Sequence, residues 1–429
     1  MKSRWWIIGV VGALCGAVFS SFVQASTVIT FSSQFTSFQD ARGDFWRSLI
    51  AEFNESQGEI RVEIVAGGGS VAEQNERMVT WIAAGQAPDV FEFHGANFGA
   101  WASQGFLADL EPFLERDPEI ALSDFYPTVI EMYKRTGNGR LYALPLQIQV
   151  YLMEYNLDLF DAGGISYPPT SWDDPSWNWD SFVEVGKKLT LDRTGDGVPD
   201  QYGFQARRDV TGGLLTYIWQ AGGDVVDAAG NFTFNSPESL RGLQYLIDLR
   251  HVHGIATTGG FPHTAAMRIS VPAGYPALKT NFPGVRWDLA PLPRGPVRSA
   301  TILGSTPMSI SAFSEHPEAA WRFYKYLVSS ETLQRIITQA DHVPVRRSVV
   351  ESPAFRAIDI PPSYFVAADA VEYAYLANER GPNWTQIAQI LQSAVDRAWE
   401  GVVSIENAVE EVRATVEALL REGWERQAP

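Results

Sequence analysis

The sequence predicts an α/β protein of two lobes, with mostly parallel sheets flanked by helices. Three observations lead there. The chain has 429 residues, more than one hydrophobic core ordinarily serves, so two domains of usual size are expected. Its hydrophobic content of 45% and aromatic content of 12% suit a folded chain with a large interior. Over residues 27–95 strand-like and helix-like patterns alternate as β-α-β-α-β, an order that yields a parallel sheet covered by helices.

Each element has its own signal. "TVITFSSQF", from Thr27, reads as a buried strand opening into a polar loop. In "FQDARGDFWRSLIAEFNESQ" the residues Phe45, Trp46, Leu49, Ile50 and Phe53 recur at helical spacing. "IRVEIVAGG" is a second strand running into Gly67, Gly68, Gly69 and Ser70, "VAEQNERMVTWIAAGQ" an amphipathic helix, and "PDVFEFHG" a third strand. In sheets of this kind ligands sit beyond the carboxyl ends of the strands. From Tyr142, "YALPLQIQVYLMEYNLDLF" is extended and apolar, and "YPPTSWDDPSWNWDSFVEVGKKLT" gives a Pro-rich turn and a helix. "LLTYIWQAGGDVVDAAGNFTFNSPESLRGLQYLIDL" gives a helix, a hairpin-like turn and a second helix, capped by Ser236 or Asn235 with Pro237 first. "SEHPEAAWRFYKYLVSSETLQRII" is a helix pair, and two more helices run from Trp384 to Leu420.

Charge and composition exclude whole classes of partner. A formal net charge of −17 leaves no basic excess for nucleic acid and disfavours an anionic membrane surface. Lys2 and Arg4, the apolar "WWIIGVVGALCGAVFSSF" and the small residues of "VQA" compose a secretory signal peptide, with cleavage expected after Ala25. Cys15, the one cysteine, falls inside it, so the exported chain is expected to have neither disulfide nor thiol chemistry.

The GGGS run lacks both a following Lys-Ser/Thr pair and Gly-x-Gly-x-x-Gly spacing, so a turn or close ligand approach is expected there, not a phosphate cradle. In "LTLDRTGDGVPDQYGF" the residues Asp192, Thr194, Asp196 and Asp200 fall at the first, third, fifth and ninth positions of an EF-hand-like loop. Gly197 is sixth, and the Val198 carbonyl is available at the seventh. Gly203 stands where that loop needs its bidentate Glu, so a structural calcium site and a plain hydrophilic turn both stay open; no other cofactor is expected. An enzyme is not expected. No pair of carboxylates is singled out for glycoside hydrolysis, only His251 and His253 pair among six histidines, and no Gly-x-Ser-x-Gly elbow occurs.

The ordered segments "APDVFEF" (87–93), "YALPL" (142–146), "EYNLDLFDAGG" (154–164), "PPTSWDD" (168–174), "GGDVVD" (222–227), "FNSPES" (234–239), "AAM" (265–267), "GSTPMSIS" (304–311) and "HPEAAWRFYKYLVSSE" (316–331) cover nearly all of the mature chain. Together they resemble the sugar-binding family of extracellular solute-binding proteins of ABC importers, which includes the maltose-binding proteins. The resemblance implies a periplasmic-binding-protein fold with a ligand cleft between two discontinuous lobes. The first lobe would comprise 26–148 continued by 302–342, and the second 149–301 continued by 343–429. It also implies a periplasmic monomer that captures a carbohydrate by hinge closure and delivers it to the transmembrane subunits of an ABC permease. A glycerol phosphodiester or other anionic solute is the alternative within the class, and a secreted glycoside hydrolase the rival outside it.

By position in the family pattern, the ligand residues would be Gln34 and Phe35 after the first strand, His94 and Asn97 after "PDVFEF", and Gln149 at the first crossover. Arg208, Asp209 and Trp219 would follow around the "IWQAGG" helix, then Gly304 and Ser305 at the second crossover, Arg346, and Trp384. Asp89 is expected to be structural. Where relatives carry Gly-Pro-Trp after "AAM", this chain has "SVPAG" with Ala273 at the Trp place, so Tyr275 is expected to supply the ring. The Asp-rich loop would lie on the second lobe, away from the cleft.

Overall fold

The computed structural model describes residues 26–68, 70–93, 98–136, 139–227, 229–271, 275–337, 343–358, 361–376 and 383–427. The expected signal peptide, His94, Asn97 and Ala273 lie outside the described residues. Twelve strands appear among those described: β1 Thr27–Ser32, β2 Ile60–Ile64, β3 Val90–Glu92, β4 Leu144–Val150, β5 Leu152–Asn156, β6 Tyr202–Gln205, β7 Ala256–Thr257, β8 Ala265–Ser270, β9 Trp287–Ala290, β10 Thr301–Ile310, β11 Val343–Pro344 and β12 Ala374–Leu376. They make two sheets, ordered β11-β4-β10-β3-β1-β2 with β12 also on β10, and β7-β6-β8-β5-β9.

Helices cover both sheets. The ones that matter here are α1 Ala41–Ser56, α2 Val71–Ala83, α3 Trp179–Leu189, α4 Gly213–Gln220, α5 Pro237–His251, α6 Pro317–Val328, α7 Trp384–Trp399 and α8 Ile405–Gln427. α1 starts where Asp40 accepts from the backbone N–H groups of Arg42 and Gly43, and it buries Trp46, Leu49, Ile50 and Phe53. The cap of α5 is Ser236, which accepts from Ser239 N with Pro237 at the first turn. Asp89 is structural: its Oδ2 accepts from both the backbone N and the hydroxyl of Thr30, each at 2.8 Å, tying β3 to β1.

Parallel pairing holds β1 to β2 and β3, and β6 to β7 and β8. The pairs of β10 with β3 and β4, β11 with β4, and β5 with β8 and β9 are antiparallel, so both sheets are mixed. In the first sheet β10 runs against β3 and β4, so β4 runs the same way as β1, β2 and β3; in the second, β5 runs against both of its neighbours. The chain crosses first at Tyr151, between β4 and β5, and returns at Thr301, whose hydroxyl donates to the Tyr151 carbonyl at 2.6 Å.

The third segment corrects one expectation. The return to the second lobe was expected at residue 343, but β11 pairs with β4 and Arg346 binds Asp124, so this stretch still belongs to the first lobe. Contact with the second lobe begins later, where Ser363 donates to Asp288 and Trp172 Nε1 donates to the Val366 carbonyl. α7 and α8 then pack on one another and on α5. Among the described residues no helix is long and apolar enough to cross a membrane.

Candidate functional site: the interlobe cleft

A cavity of about 700 Å³ lies between the lobes, at the carboxyl ends of the strands and beside both crossovers. The first lobe contributes Gln34, Gln74, Asn75, Glu92 and Phe93. The crossing strands contribute Gln149, Tyr151, Ile302, Gly304, Ser305 and Thr306. Opposite stand Arg207, Asp209, Val210 and Thr211, and α7 presents Trp384, Thr385, Ala388, Gln389 and Gln392.

Local structure explains these placements. Ser33 leaves β1 and caps the short helix Gln34–Ser37, accepting from Phe35 N at 3.2 Å, which leaves Gln34 on the rim. Gly304 pairs with Gln149 across β10 and β4, and a Cβ there would meet Gln149 Cβ only at 3.7 Å, so the glycine leaves room beside the Gln149 side chain. The ladder then shifts register between Ser305 and Pro307, a bulge of the kind that re-aims side chains next to sites. Ser305 Oγ is 2.6 Å from the Tyr133 hydroxyl.

Six expected ligand residues therefore share one cavity: Gln34, Gln149, Asp209, Gly304, Ser305 and Trp384. Others sit elsewhere. Phe35 is buried and stacks on Trp46 at 5.5 Å, because a ring immediately after a buried cap is drawn into the core. Trp219 lies inside the second lobe, its Nε1 donating to Asp224 at 3.3 Å and its ring 5.4 Å from Tyr375. Tyr275 does not supply a cleft ring: it is buried against Trp287 and Tyr364. Arg346 is also structural, only 8% exposed, donating to Asp124 at 2.6 Å and to the Val328 carbonyl at 3.1 Å. Arg208 lines a neighbouring recess instead.

Glu92 and Gln74 were not foreseen. Glu92 is buried at the end of β3 and accepts from the Ser33 hydroxyl at 2.5 Å, and burial pushes its carboxyl up to about 7. Gln74 Nε2 donates to Ser32 Oγ and to the Glu92 carbonyl, while its Oε1 is buried without a partner among the described residues. The available signal was an acid within the otherwise apolar "VFEF". Across the cleft, Arg207 Nε donates to Asp209 Oδ1 at 2.8 Å and lies 4.4 Å over the Tyr151 ring. Burial raises the Tyr151 hydroxyl to about 12, so it faces the cleft as a neutral donor or acceptor.

The Asp-rich loop folds as a hydrogen-bonded turn. Asp192 accepts from Gly195 N at 2.6 Å and Gly197 N at 2.8 Å, Asp196 from Val198 N, and Asp200 from Arg193 N and Thr194 N. Thr194 donates to Asp192. The carboxylates are held by backbone N–H groups in the manner of Asx turns, and among the described residues no three His, Cys, Asp or Glu gather for a metal.

A family model described as bacterial extracellular solute-binding protein matches residues 39–334. The arabinooligosaccharide-binding protein of Halalkalibacterium halodurans is 24% identical over 344 residues, covering 75% of this chain and 73% of its own. The sugar-binding protein MalE of Xanthomonas citri superposes with a TM-score of 0.79 at 21% identity, over 94% of this chain and 100% of that one. UgpB of Mycobacterium tuberculosis, solved with glycerophosphocholine, gives 0.77 at 18% identity, over 92% and 99%.

Proposed function

The chain belongs to the bacterial extracellular solute-binding proteins, and from that premise we propose that it is the exported receptor of an ABC importer for an uncharged carbohydrate. The observation that carries this is the cleft lining. Amides and hydroxyls from both lobes surround Phe93, Tyr151 and Trp384, and Arg207, the one arginine lining the cavity among the described residues, is neutralised by Asp209. Aromatic faces suit the C–H faces of a sugar ring, and planar amides fix its hydroxyls.

With the leader removed after Ala25, the receptor works in the periplasm as a monomer. A ligand touching both walls favours the closed arrangement, and closure is what the permease reads. No catalysis is needed. An anionic solute such as a glycerol phosphodiester would call for an unmatched cation, yet Arg207, Arg208 and Arg268 each face a carboxylate.

Native mass spectrometry of the mature protein, isolated gently from its periplasm, tests the reading. A mass increment equal to a sugar or oligosaccharide is expected. Retention of phosphate-bearing adducts alone would overturn it.

A further inference from the structure

Four residues of the second-lobe wall, Arg207, Asp209, Val210 and Thr211, come from one stretch that has left β6 and not yet entered α4. The last ladder bond before it runs from Ala206 N to the Thr257 carbonyl at 2.8 Å, and among the described strands none pairs with residues 208–210. Backbone groups beside a cavity still need partners. A side chain supplies them here. Gln392, on α7 and 182 residues beyond Val210, accepts from Val210 N at 2.8 Å through its Oε1. Its Nε2 donates to the Arg208 carbonyl at 3.3 Å. Those two backbone groups flank Asp209, so the amide stands where a neighbouring parallel strand would otherwise pair.

Supports stand on either side of this clasp. Asp209 Oδ1 accepts from Arg207 Nε at 2.8 Å, and the Asp209 carbonyl accepts from Gly212 N at 3.0 Å and Leu214 N at 3.2 Å, where α4 begins. Four residues beyond Gln392, on the same face of α7, Asp396 pairs with Arg208, whose guanidinium lies 5.7 Å over the Trp399 ring. Asp396 also accepts from Gln392 Nε2 at 2.9 Å. A primary amide has two N–H donors, and both are spent inside the wall. Gln392 therefore lines the cavity without an N–H to offer into it. Its influence on binding runs through the backbone it holds.

We propose that Gln392 is the positioning residue of this wall: its side-chain amide pins residues 208–210 and so holds Arg207, Asp209 and Thr211 at the cleft before any ligand arrives. The inference rests on the cleft being the binding site, and its first test needs no ligand. Hydrogen exchange of the protein without its leader, read by mass spectrometry on peptides spanning 207–212, should be slow in the parent. Gln392→Met, which keeps the bulk and removes the amide, should speed that exchange about tenfold while β5 keeps its protection. Gln392→Asn, one methylene too short to reach both groups, should do the same if the methionine variant unfolds. Gln392→Glu keeps an acceptor for Val210 N and should restore most of the protection. Unchanged exchange over 207–212 in a folded variant would overturn the proposal. Calorimetry with maltotriose and arabinotriose then reads the consequence for binding. A wall that must be ordered during binding should weaken the sugar that binds about tenfold. Asp209→Ala should cost much less in the Gln392→Met background than in the parent, because an unpinned Asp209 has little left to lose. Additive losses would overturn the positioning role and make Gln392 a direct contact. Folded parent that takes up neither sugar would count against the carbohydrate reading, while the exchange result still decides the role of Gln392.

Discussion

Glu92 brings a carboxyl into a cleft wall otherwise made of amides, and its only side-chain donor among the described residues is Ser33. Burial raises it from 4.5 to about 7, so between those values the folded protein keeps a proton that the unfolded chain has lost. Stability contributed by that proton is therefore full below about 4.5 and is lost as pH rises to about 7. Glu92→Gln keeps the Ser33 contact and removes the titration. Urea unfolding at pH 5 and pH 8 should show the variant gaining on the parent toward pH 8, by on the order of 3 kcal/mol. An unchanged difference between the two pH values would sink the assignment. Arg346→Ala should behave oppositely to a ligand residue, costing about 3 kcal/mol by removing the cation from Asp124, which keeps only Ser348, and the donor from the Val328 carbonyl, while sugar affinity stays put. Residue roles were only partly legible. Gln149 and Gly304 follow from where the chain crosses, but Tyr275 and Trp219 do not, because sequence position does not say which side of a packed wall a ring faces.

Elements were more legible than side chains, since hydrophobic period and capping chemistry act over few residues. The α1 face follows directly from spacing, and Pro237 narrows the cap of α5 to Ser236 or Asn235, of which the structure uses Ser236. β11, with two residues, is too short to carry a period, so its membership in the first sheet depends wholly on tertiary pairing and could not be read. The close approach of α4 and α5 was equally hidden. A Cβ on Gly242 would sit 2.5 Å from the Tyr217 carbonyl oxygen, so Gly242→Ala must separate the helices or bend one. Thermal and chemical unfolding should report a loss of about 2 kcal/mol. The 192–200 loop tests the metal question at the same scale. Its N–H groups hold the carboxylates in a turn that closes on itself without an ion, so calcium added after chelation is expected to leave the melting temperature where the chelator left it. A clear upward shift would mean that the loop rearranges around the ion.

At the scale of the whole molecule the question is whether binding moves the lobes. Two crossing strands, joined at Thr301 and Tyr151, connect bodies that each supply one wall of the cleft, with α7 carried by the second. A ligand bridging the walls stabilises only the state in which both reach it, so its affinity is drawn on for closure. Cys15 is the sole cysteine and lies in the leader whose removal after Ala25 is proposed above, so in the protein without that leader cysteines placed at the exposed Val79 and Val402 would carry an unambiguous pair of labels. Val79 lies on α2 in the first lobe and Val402 follows α7 on the second. Saturating oligosaccharide should shift the label distance in one cooperative step whose midpoint tracks the binding constant. It should do so equally at low and high salt, because Arg207 in the cleft and Arg208 and Arg268 in the neighbouring recess each face an acid. Tight binding with an unmoved distance would instead describe a preformed cleft, and the signal to the permease would then have to come from the ligand-covered rim.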